Sequence, residues 1–357
     1  MAKVVGGRYQ LIAQLGGGGM ADVYLAKMLG DFSKLAVVKR LKGAAEEDSE
    51  VVRMFHDEAR LCARLNHPNI VQTFEVGADD EGPFLVMEYL EGQPLSRMRS
   101  RAANRRVAVP LGVWLHALSE TLLALQYAHA VADHDGTPLS VVHRDVSPQN
   151  IVVTYAGTSK LVDFGVAKTT ASLSRTRAGV LKGKVAYMAP EQARSDAALD
   201  GRADLFSAGL ILWELLRGKR MWEGCSEVQV IAALLEREPL PSPRDVDAGV
   251  PHALDRVCAR AIAKDRGARF ASAGEMLEAL EAACDASGLR SSAREVSGVM
   301  AALFADEREK MRKVVTGVAD APTEESERLP RLAHRPYGAA PTVPPAPSAL
   351  AEAEGQL

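Results

Sequence analysis

Two polar stretches near the middle of this 357-residue chain decide its fold: HRDVSPQN at residues 143–150 and KLVDFG at residues 160–165. The apolar run IVV at residues 151–153 follows the first stretch directly and predicts a short strand. A turn over residues 155–159 leads from this strand to the second stretch. The order therefore predicts a loop, a strand and a turn, with polar side chains at the strand ends.

Three of these polar residues, Asp145, Asn150 and Asp163, carry oxygen donors. Carboxylate and amide oxygens are the hard ligands that Mg²⁺ prefers when phosphate supplies the rest of its shell. An isolated Asp beside Gly or Pro is usually a turn former, and that explanation suffices for any one of the three. It does not explain the ordered set.

Two charged residues interrupt apolar rows in the N-terminal part. Alternation along LAVVKRL at residues 35–41 places Lys39 on an apolar face, and Glu58 lies on the apolar stripe of a helix predicted over residues 49–65. A buried charge is costly unless it is paired, so the simplest arrangement joins Lys39 to Glu58 and leaves the ammonium able to contact an anionic ligand. The alternative is that each side chain reaches solvent at an edge.

A glycine-rich turn, LGGGGMADV at residues 15–23, joins two predicted strands. Glycines allow backbone N–H groups to approach phosphate oxygens closely, although a glycine run at a hairpin tip is by itself usually a plain turn. A dinucleotide-binding fingerprint would need a helix to follow. A strand-like sequence follows instead, which excludes that class.

The chain predicts an α+β architecture with two lobes. Strands are predicted over residues 9–15, 23–28, 35–41, 71–76 and 84–89, with one helix among them. From residue 111 to about 283 the apolar period lengthens towards 3.6, which predicts a larger helical lobe after a hinge near 89–94. We expect residues 1–8 to be a lead, 9–283 one domain with lobes at about 9–89 and 94–283, and 284–319 an appended helical segment.

Residues 320–357 differ in composition from the rest, because they hold seven of the 18 prolines and one aromatic residue. Such a segment buries too little apolar area to offset its chain entropy, so we expect a disordered tail. The net charge of −3 gives no support to nucleic acid or an anionic membrane as the main partner. Scattered cysteines, no leader pattern and no long apolar run predict a cytoplasmic protein without a membrane span.

Further motifs complete the pattern: LVMEYL at residues 85–90, APE at 189–191 and DLFSAG at 204–209. Together with the stretches above, they make the chain resemble the eukaryotic-like serine/threonine protein kinases of bacteria, over about residues 9–283. The resemblance implies a kinase fold with a small antiparallel-sheet lobe carrying one helix and a larger helical lobe. It also implies ATP and Mg²⁺, or Mn²⁺, as cofactors, protein substrates and a role in signal transduction.

The resemblance also assigns roles to residues. Lys39 would hold the α- and β-phosphates and pair with Glu58, Asp145 would accept the proton of the substrate hydroxyl, and Asn150 and Asp163 would hold Mg²⁺. Met87 would be the gatekeeper beside the adenine, and Ala21 replaces the third glycine of the usual loop. The nucleotide-binding residues implied in full are Leu15, Gly16, Gly17, Gly18, Gly19, Met20, Ala21, Asp22, Val23, Lys39, Met87, Glu88 and Leu90.

Structural and regulatory roles follow from the same resemblance. Glu191 would pair with Arg269, and Arg144 would pair with a phosphate on the activation segment, where Thr176 and Ser174 are the preferred phosphosites. The alternative is that this Ser/Thr-rich loop is merely polar.

Two positions depart from the family pattern. Ser147 stands where a lysine is usual, and Lys184 stands where a substrate-facing threonine is usual. We hypothesise an exchange in which Lys184 reaches over Asp145 and supplies the missing positive charge. The alternative is a solvated Lys184 and a slow or inactive enzyme.

Two other classes of function stay open. A nucleotide-binding pseudokinase scaffold is favoured by Ser147 and disfavoured by the intact set of charged residues. A small-molecule phosphotransferase of related fold is disfavoured by the APE stretch and Arg269, which suit a protein substrate. A partner of the tail and a homodimer are both compatible with the sequence.

Overall fold

A computed structural model describes the chain over residues 3–17, 21–30, 34–42, 50–133, 135–164, 185–196 and 199–319. Several predicted site residues fall outside these stretches, namely Gly18, Gly19, Met20, Ser174, Thr176 and Lys184, and so does the predicted tail. Glu58 lies within a described helix, but the structure does not describe its side chain. The expected pairing of Lys39 with Glu58 therefore lies outside the described residues.

The N-terminal lobe (N-lobe) is an antiparallel sheet in the order β1-β2-β3-β4-β6-β5. Its strands are β1 Val4–Val5, β2 Tyr9–Gly17, β3 Ala21–Met28, β4 Leu35–Leu41, β5 Thr73–Asp79 and β6 Gly82–Glu88. The five predicted strands are therefore present, but β2 is longer and β5 starts later than predicted. Strand β2 continues through two glycines because Gly16 and Gly17 pair with Val23 and Asp22 of β3.

Strand β4 separates two apolar layers, as its alternation predicts. Val37 and Leu41 face the side of the sheet that carries helix α1 (Glu50–Cys62), whereas Ala36 and Val38 pack on the opposite side. Phe55 of α1 packs into the first layer. Lys39 lies in register with Val23 of β3 and Leu85 of β6, so its charge stands on the apolar face beneath the sheet.

The C-terminal lobe (C-lobe) is mainly helical, with a small sheet in the order β7-β8-β9 beside the hinge. The strands are β7 Gly92–Pro94, β8 Ile151–Thr154 and β9 Ser159–Leu161, and the helices are α2 Leu95–Arg105, α3 Leu111–Ala130, α4 Pro190–Ala193, α5 Arg202–Arg217, α6 Glu227–Leu235, α7 Pro243–Val246, α8 His252–Ala261, α9 Ala273–Ala286 and α10 Ala293–Ala319. Single 3₁₀ turns occupy Val185–Tyr187 and Arg266–Ala268.

Helix α5 forms the axis of the C-lobe, because residues 203–215 are all buried. A helix that is apolar on every side must be surrounded by other elements, and α3, α8 and α9 pack around this one. Helix α9 continues to Ala286, so a domain boundary at residue 283 would cut it. Within the described residues, no helix combines the length and the apolar composition needed to cross a bilayer.

Candidate active site

An apolar cluster joins the two lobes beside the hinge, and we call it the inter-lobe cluster. Its upper members come from the N-lobe sheet and the hinge, and its lower members come from β8 and the residue after β9. The members that matter below are Leu15, Val23, Val37, Met87, Leu90, Val152 and Val162, each at most 4% exposed. A flat aromatic ring placed between the lobes would meet only apolar side chains there.

Lys39 meets Asp163 at the polar side of this cluster. The ammonium Nζ lies 3.0 Å from the carboxylate Oδ1, and both side chains remain partly exposed, at 18% and 15%. Asp163 adopts a left-handed backbone with φ of 56°, one of five non-glycine residues with a positive φ among the described residues. The two residues are 124 positions apart, so the contact forms only because the lobes close on each other.

Asn150 closes the loop that carries Asp145. The Asn150 amide Nδ2 donates to the backbone carbonyl of Asp145 at 2.8 Å and to its carboxylate Oδ2 at 3.1 Å. The backbone N–H of Asn150 donates to the carbonyl of Ser147 at 2.9 Å, and Ser147 itself is buried. The side chains of Asp145 and Asn150 are thereby fixed beside each other at the entrance of β8.

His143 supports this loop from below. Its imidazole is fully buried, and Nδ1 accepts from the backbone N–H of Asp145 at 3.2 Å while Nε2 lies 3.1 Å from the carbonyl oxygen of Val162. Only a ring protonated at Nε2 alone satisfies both contacts, since a carbonyl accepts and an amide donates. The ring of Phe164 packs on it at 4.5 Å between centroids. One neutral histidine thus couples the positions of Asp145 and Asp163.

Asp204, the first acidic residue of α5, anchors the same loop. Its fully buried carboxylate accepts from the backbone N–H groups of His143 and Arg144, both at 2.8 Å, and from His129 Nε2 at 2.9 Å. Burial pushes the pKa of Asp204 up, but the contacts with His129 and the His143 amide outweigh it and hold the pKa below its ordinary value. A charged, satisfied carboxylate therefore fixes the catalytic loop from inside the lobe.

Asp204 is not among the predicted site residues, although the resemblance implies that the helix containing residues 204–209 anchors the catalytic loop. A signal was present, because an aspartate near the start of a helix otherwise lined with apolar residues must be buried and must find hydrogen-bond donors. Nothing local indicates that those donors belong to residues 143 and 144.

Arg144 also has an unusual backbone, with φ of 64°, and its carbonyl accepts from Gln192 Nε2 of α4 at 3.0 Å. Its guanidinium Nε is buried and has no hydrogen-bond partner within the described part of the chain. A buried N–H group without an acceptor is unfavourable, so this side chain is suited to receive an anion.

Glu191 and Arg269 form the pair predicted from the sequence. Two parallel hydrogen bonds join them, Nη1 to Oε1 at 2.7 Å and Nη2 to Oε2 at 2.8 Å, and both side chains are almost completely buried. Arg269 also donates from Nε to the carbonyl of Ala263 and from Nη1 to that of Arg202. The pair fastens α4 to the loop between α8 and α9.

The predicted nucleotide-binding residues at the strand tips have structural partners of their own. The Asp22 carboxylate accepts from Gln14 Nε2 at 3.1 Å and pairs with Lys42 at 3.2 Å. A Cβ atom at Gly17 would lie 2.3 Å from Asp22 Oδ1, so a larger residue there would displace the Asp22 carboxylate from its present position. At the hinge, the Glu88 carboxylate accepts from Lys160 Nζ at 2.6 Å.

The donor set suits a divalent metal bound together with phosphate. No group of three or more His, Cys, Asp or Glu residues with metal-binding geometry occurs within the described ranges. Asp163 and Asn150 instead offer one carboxylate and one amide on the polar side of the inter-lobe cluster. Mg²⁺ is commonly held by one or two such side chains plus phosphate oxygens and water, so the residues fit this ion.

Comparisons with known proteins agree with this geometry. Residues 9–279 match the protein kinase domain family. The tyrosine-protein kinase MasK of Myxococcus xanthus is 42% identical over 277 residues, which are 77% of this chain and 43% of MasK. The serine/threonine-protein kinase PrkC of Bacillus subtilis is 32% identical over 289 residues, 81% of this chain and 42% of PrkC.

A solved structure supports the same assignment. The PknI kinase domain of Mycobacterium tuberculosis superimposes with a TM-score of 0.58 at 27% identity, covering 79% of this chain and 98% of that domain. The chain spans less than half the length of MasK and PrkC. Because the family match takes in most of the chain and the two-lobed fold is the one expected, this chain belongs to the protein kinase family and carries a kinase domain of the bacterial serine/threonine type.

Proposed function

We propose that the chain is an ATP-dependent protein kinase that transfers the γ-phosphoryl group to serine and threonine hydroxyls of proteins. The observation that carries the proposal is the contact between Lys39 and Asp163 across the cleft, with Asp145 and Asn150 fixed beside it. These are the cation, the carboxylates and the amide that phosphoryl transfer requires, because its catalysis is mostly positioning and charge stabilisation.

Each residue has a defined task in this proposal. Lys39 binds the α- and β-phosphates, Asp163 and Asn150 hold Mg²⁺, and the apolar side chains of the inter-lobe cluster enclose the adenine. Mg²⁺, when bound, neutralises charge on the phosphate oxygens. Asp145 orients the substrate hydroxyl and accepts its proton, while its carbonyl and carboxylate are held in place by Asn150.

A tyrosine acceptor is the second candidate, and two observations favour it. Ser147 replaces the lysine usual in serine/threonine kinases, and MasK, the 42% identical relative, is named a tyrosine kinase. The serine/threonine assignment is supported by PrkC and by the general family pattern. Analysis of the phosphorylated residue type separates the two.

We further propose that Lys184 replaces the missing lysine, with its ammonium over Asp145 where negative charge builds up. Support comes from the double departure in the sequence, Ser147 for lysine and Lys184 for threonine. If this exchange operates, Lys184→Thr lowers turnover far more than it weakens nucleotide binding. Equal turnover in the two proteins would contradict it.

Autophosphorylation at Thr176 or Ser174 is supported by Arg144. Its buried Nε lacks an acceptor within the described residues, and a phosphate on the activation segment would supply one. Phosphopeptide mapping after incubation with Mg·ATP is expected to find phosphate at these positions. Phosphate confined to the tail would contradict the assignment.

One assay tests the central proposal. The parent chain and the Asp145→Asn variant are incubated with radiolabelled ATP, Mg²⁺ and a generic basic protein, followed by acid hydrolysis and identification of phosphoserine, phosphothreonine and phosphotyrosine. We expect labelling by the parent on serine and threonine and a loss of about 10²–10⁴-fold in the variant. Equal, negligible labelling by both proteins, with nucleotide binding retained, would instead indicate a scaffold.

A further inference from the structure

The last described helix, α10, packs against two different apolar clusters. Its first half buries Val296, Met300 and Phe304 completely in the C-lobe core. Its second half places Met311 and Val314, with the adjacent Val315, against the inter-lobe cluster. That cluster contains residues of both lobes and of the hinge, so the second half of α10 lies at the junction between the lobes.

A local break allows one helix to serve both lobes. Phe304 has non-helical angles, with φ of −134° and ψ of 17°, so the helix changes direction there. Side chains on both sides of the break face the protein, because Phe304 is completely buried and Met311 and Val314 pack against the inter-lobe cluster. The sequence of α10 therefore keeps one buried face while its axis bends.

Charged contacts fix the bent region to α2. Arg97 pairs with Glu307 at 2.8 Å, and Arg101 and Arg105 pair with Asp306 at 2.7 and 3.0 Å. Glu307 is only 16% exposed, so this group is more protected than a surface ion pair. The turn after Phe304 is thus held by three arginines on one face of α2.

The same turn also touches the hinge region. Arg308 lies 3.8 Å from Glu91, just before β7, and its guanidinium stacks over the ring of Tyr155 at 5.1 Å. Ser297 donates to the carbonyl of Tyr155 at 2.8 Å, so both halves of α10 hold this residue. Burial, helped by Glu91, raises the pKa of the neighbouring Tyr89 phenol, as expected for a covered hinge.

We propose that residues 305–316, here called the strap, set the opening angle of the lobes and complete the nucleotide site, with Met311, Val314 and Val315 as positioning residues. The inference rests on the proposed function as an ATP-dependent kinase. Opening the lobes would separate the two sides of the cluster that these three side chains cover and would expose apolar surface to water. In the structure the strap is docked and Lys39 and Asp163 are in contact, and in this proposal the docked strap stabilises that arrangement.

Nucleotide binding measured without turnover tests this inference. Isothermal titration with Mg²⁺ and a non-hydrolysable ATP analogue is carried out on the full chain and on the double variant Met311→Ser/Val314→Ser. We expect at least about tenfold weaker binding in the variant, because the closed arrangement becomes less populated. The conservative double variant Met311→Leu/Val314→Ile keeps these side chains apolar, so it is expected to bind like the parent. This result would show that the apolar contact matters and that substitution at these positions does not by itself disrupt the fold.

Arg312→Ala provides the matched control, since Arg312 lies on the exposed side of the strap and pairs only with Glu309 among the described residues. Its affinity should equal that of the parent. The proposal is overturned if the serine variant binds the nucleotide as tightly as the parent, even when its melting temperature is lower. Tighter binding by the serine variant would also overturn it, because the strap would then be inhibitory. Absence of binding by the parent would instead refute the proposed function.

Discussion

The floor of the catalytic loop and the cleft above it hold carboxylates in opposite ways. On the floor, Asp204 is completely buried and its oxygens accept from two backbone amides and a histidine. In the cleft, Asp163 stays partly exposed beside Lys39. A buried, satisfied carboxylate contributes to stability and geometry, whereas one at the edge of solvent remains accessible to metal and phosphate.

The largest effect is expected where a buried pair is broken. Arg269→Ala leaves the Glu191 carboxylate buried without its cation, so we expect a loss of about 3–5 kcal/mol in the free energy of unfolding, measured by urea denaturation. Arg290→Ala is the control, because its pair with Asp285 is exposed and little change is expected. Similar denaturation midpoints for the two variants would contradict the expected difference between a buried and an exposed ion pair.

The cleft should show the reverse behaviour. Asp163→Asn removes a charge that faces Lys39 and the metal, so we expect turnover to fall by about 10²–10³-fold. The free energy of unfolding should change less than it does in Arg269→Ala, since Lys39 and Asp163 are more exposed than the Glu191–Arg269 pair. Phosphate transfer and urea denaturation of the same preparation measure both. A large loss of stability would show that the cleft carboxylate is structural as well.

A smaller effect, dependent on pH, is expected for Asp204. Its pKa lies below the ordinary value of 3.8, so the stability it contributes is present above that value and is lost as pH falls through the lower pKa of the folded state. Asp204→Asn should cost about 1.5–3 kcal/mol at pH 7 by weakening hydrogen bonds to a charged acceptor. Unfolding free energies measured from pH 2.5 to 6 should then converge below pH 4. Parallel curves would contradict this assignment.

Sequence reasoning predicted the N-lobe well because its strands obey a local rule. Alternation in β4 places Lys39 on the same face as Val37, and the structure has this face. The pairing of Lys39 with Glu58 stays a prediction, and the contact of Lys39 with Asp163 was not predicted. The structure shows Asp163 beside Lys39, and the two residues come from different lobes. Hydrophobic periodicity shows which face of a strand or helix is buried, but it does not show which residue of the other lobe that face contacts.

The appended segment illustrates the same limit. Its helical periodicity predicted helix near residues 293–315, and the observed helix is Ala293–Ala319. The sequence did not indicate that the first half of this helix belongs to the C-lobe core and the second half to the inter-lobe cluster. Both halves carry the same kind of apolar face, so only the bend at Phe304 and the contacts with α2 separate them.

By itself the sequence determined the order of strands and helices, the family and the residue types of the cleft, because these depend on local periodicity and on motifs whose spacing the chain fixes. Tertiary structure alone decided which amides donate to the Asp204 carboxylate, that Lys39 meets Asp163 and that the strap lies beside the hinge. Those contacts join residues far apart in sequence, and their energy depends on burial and on partners that exist only once the lobes have packed.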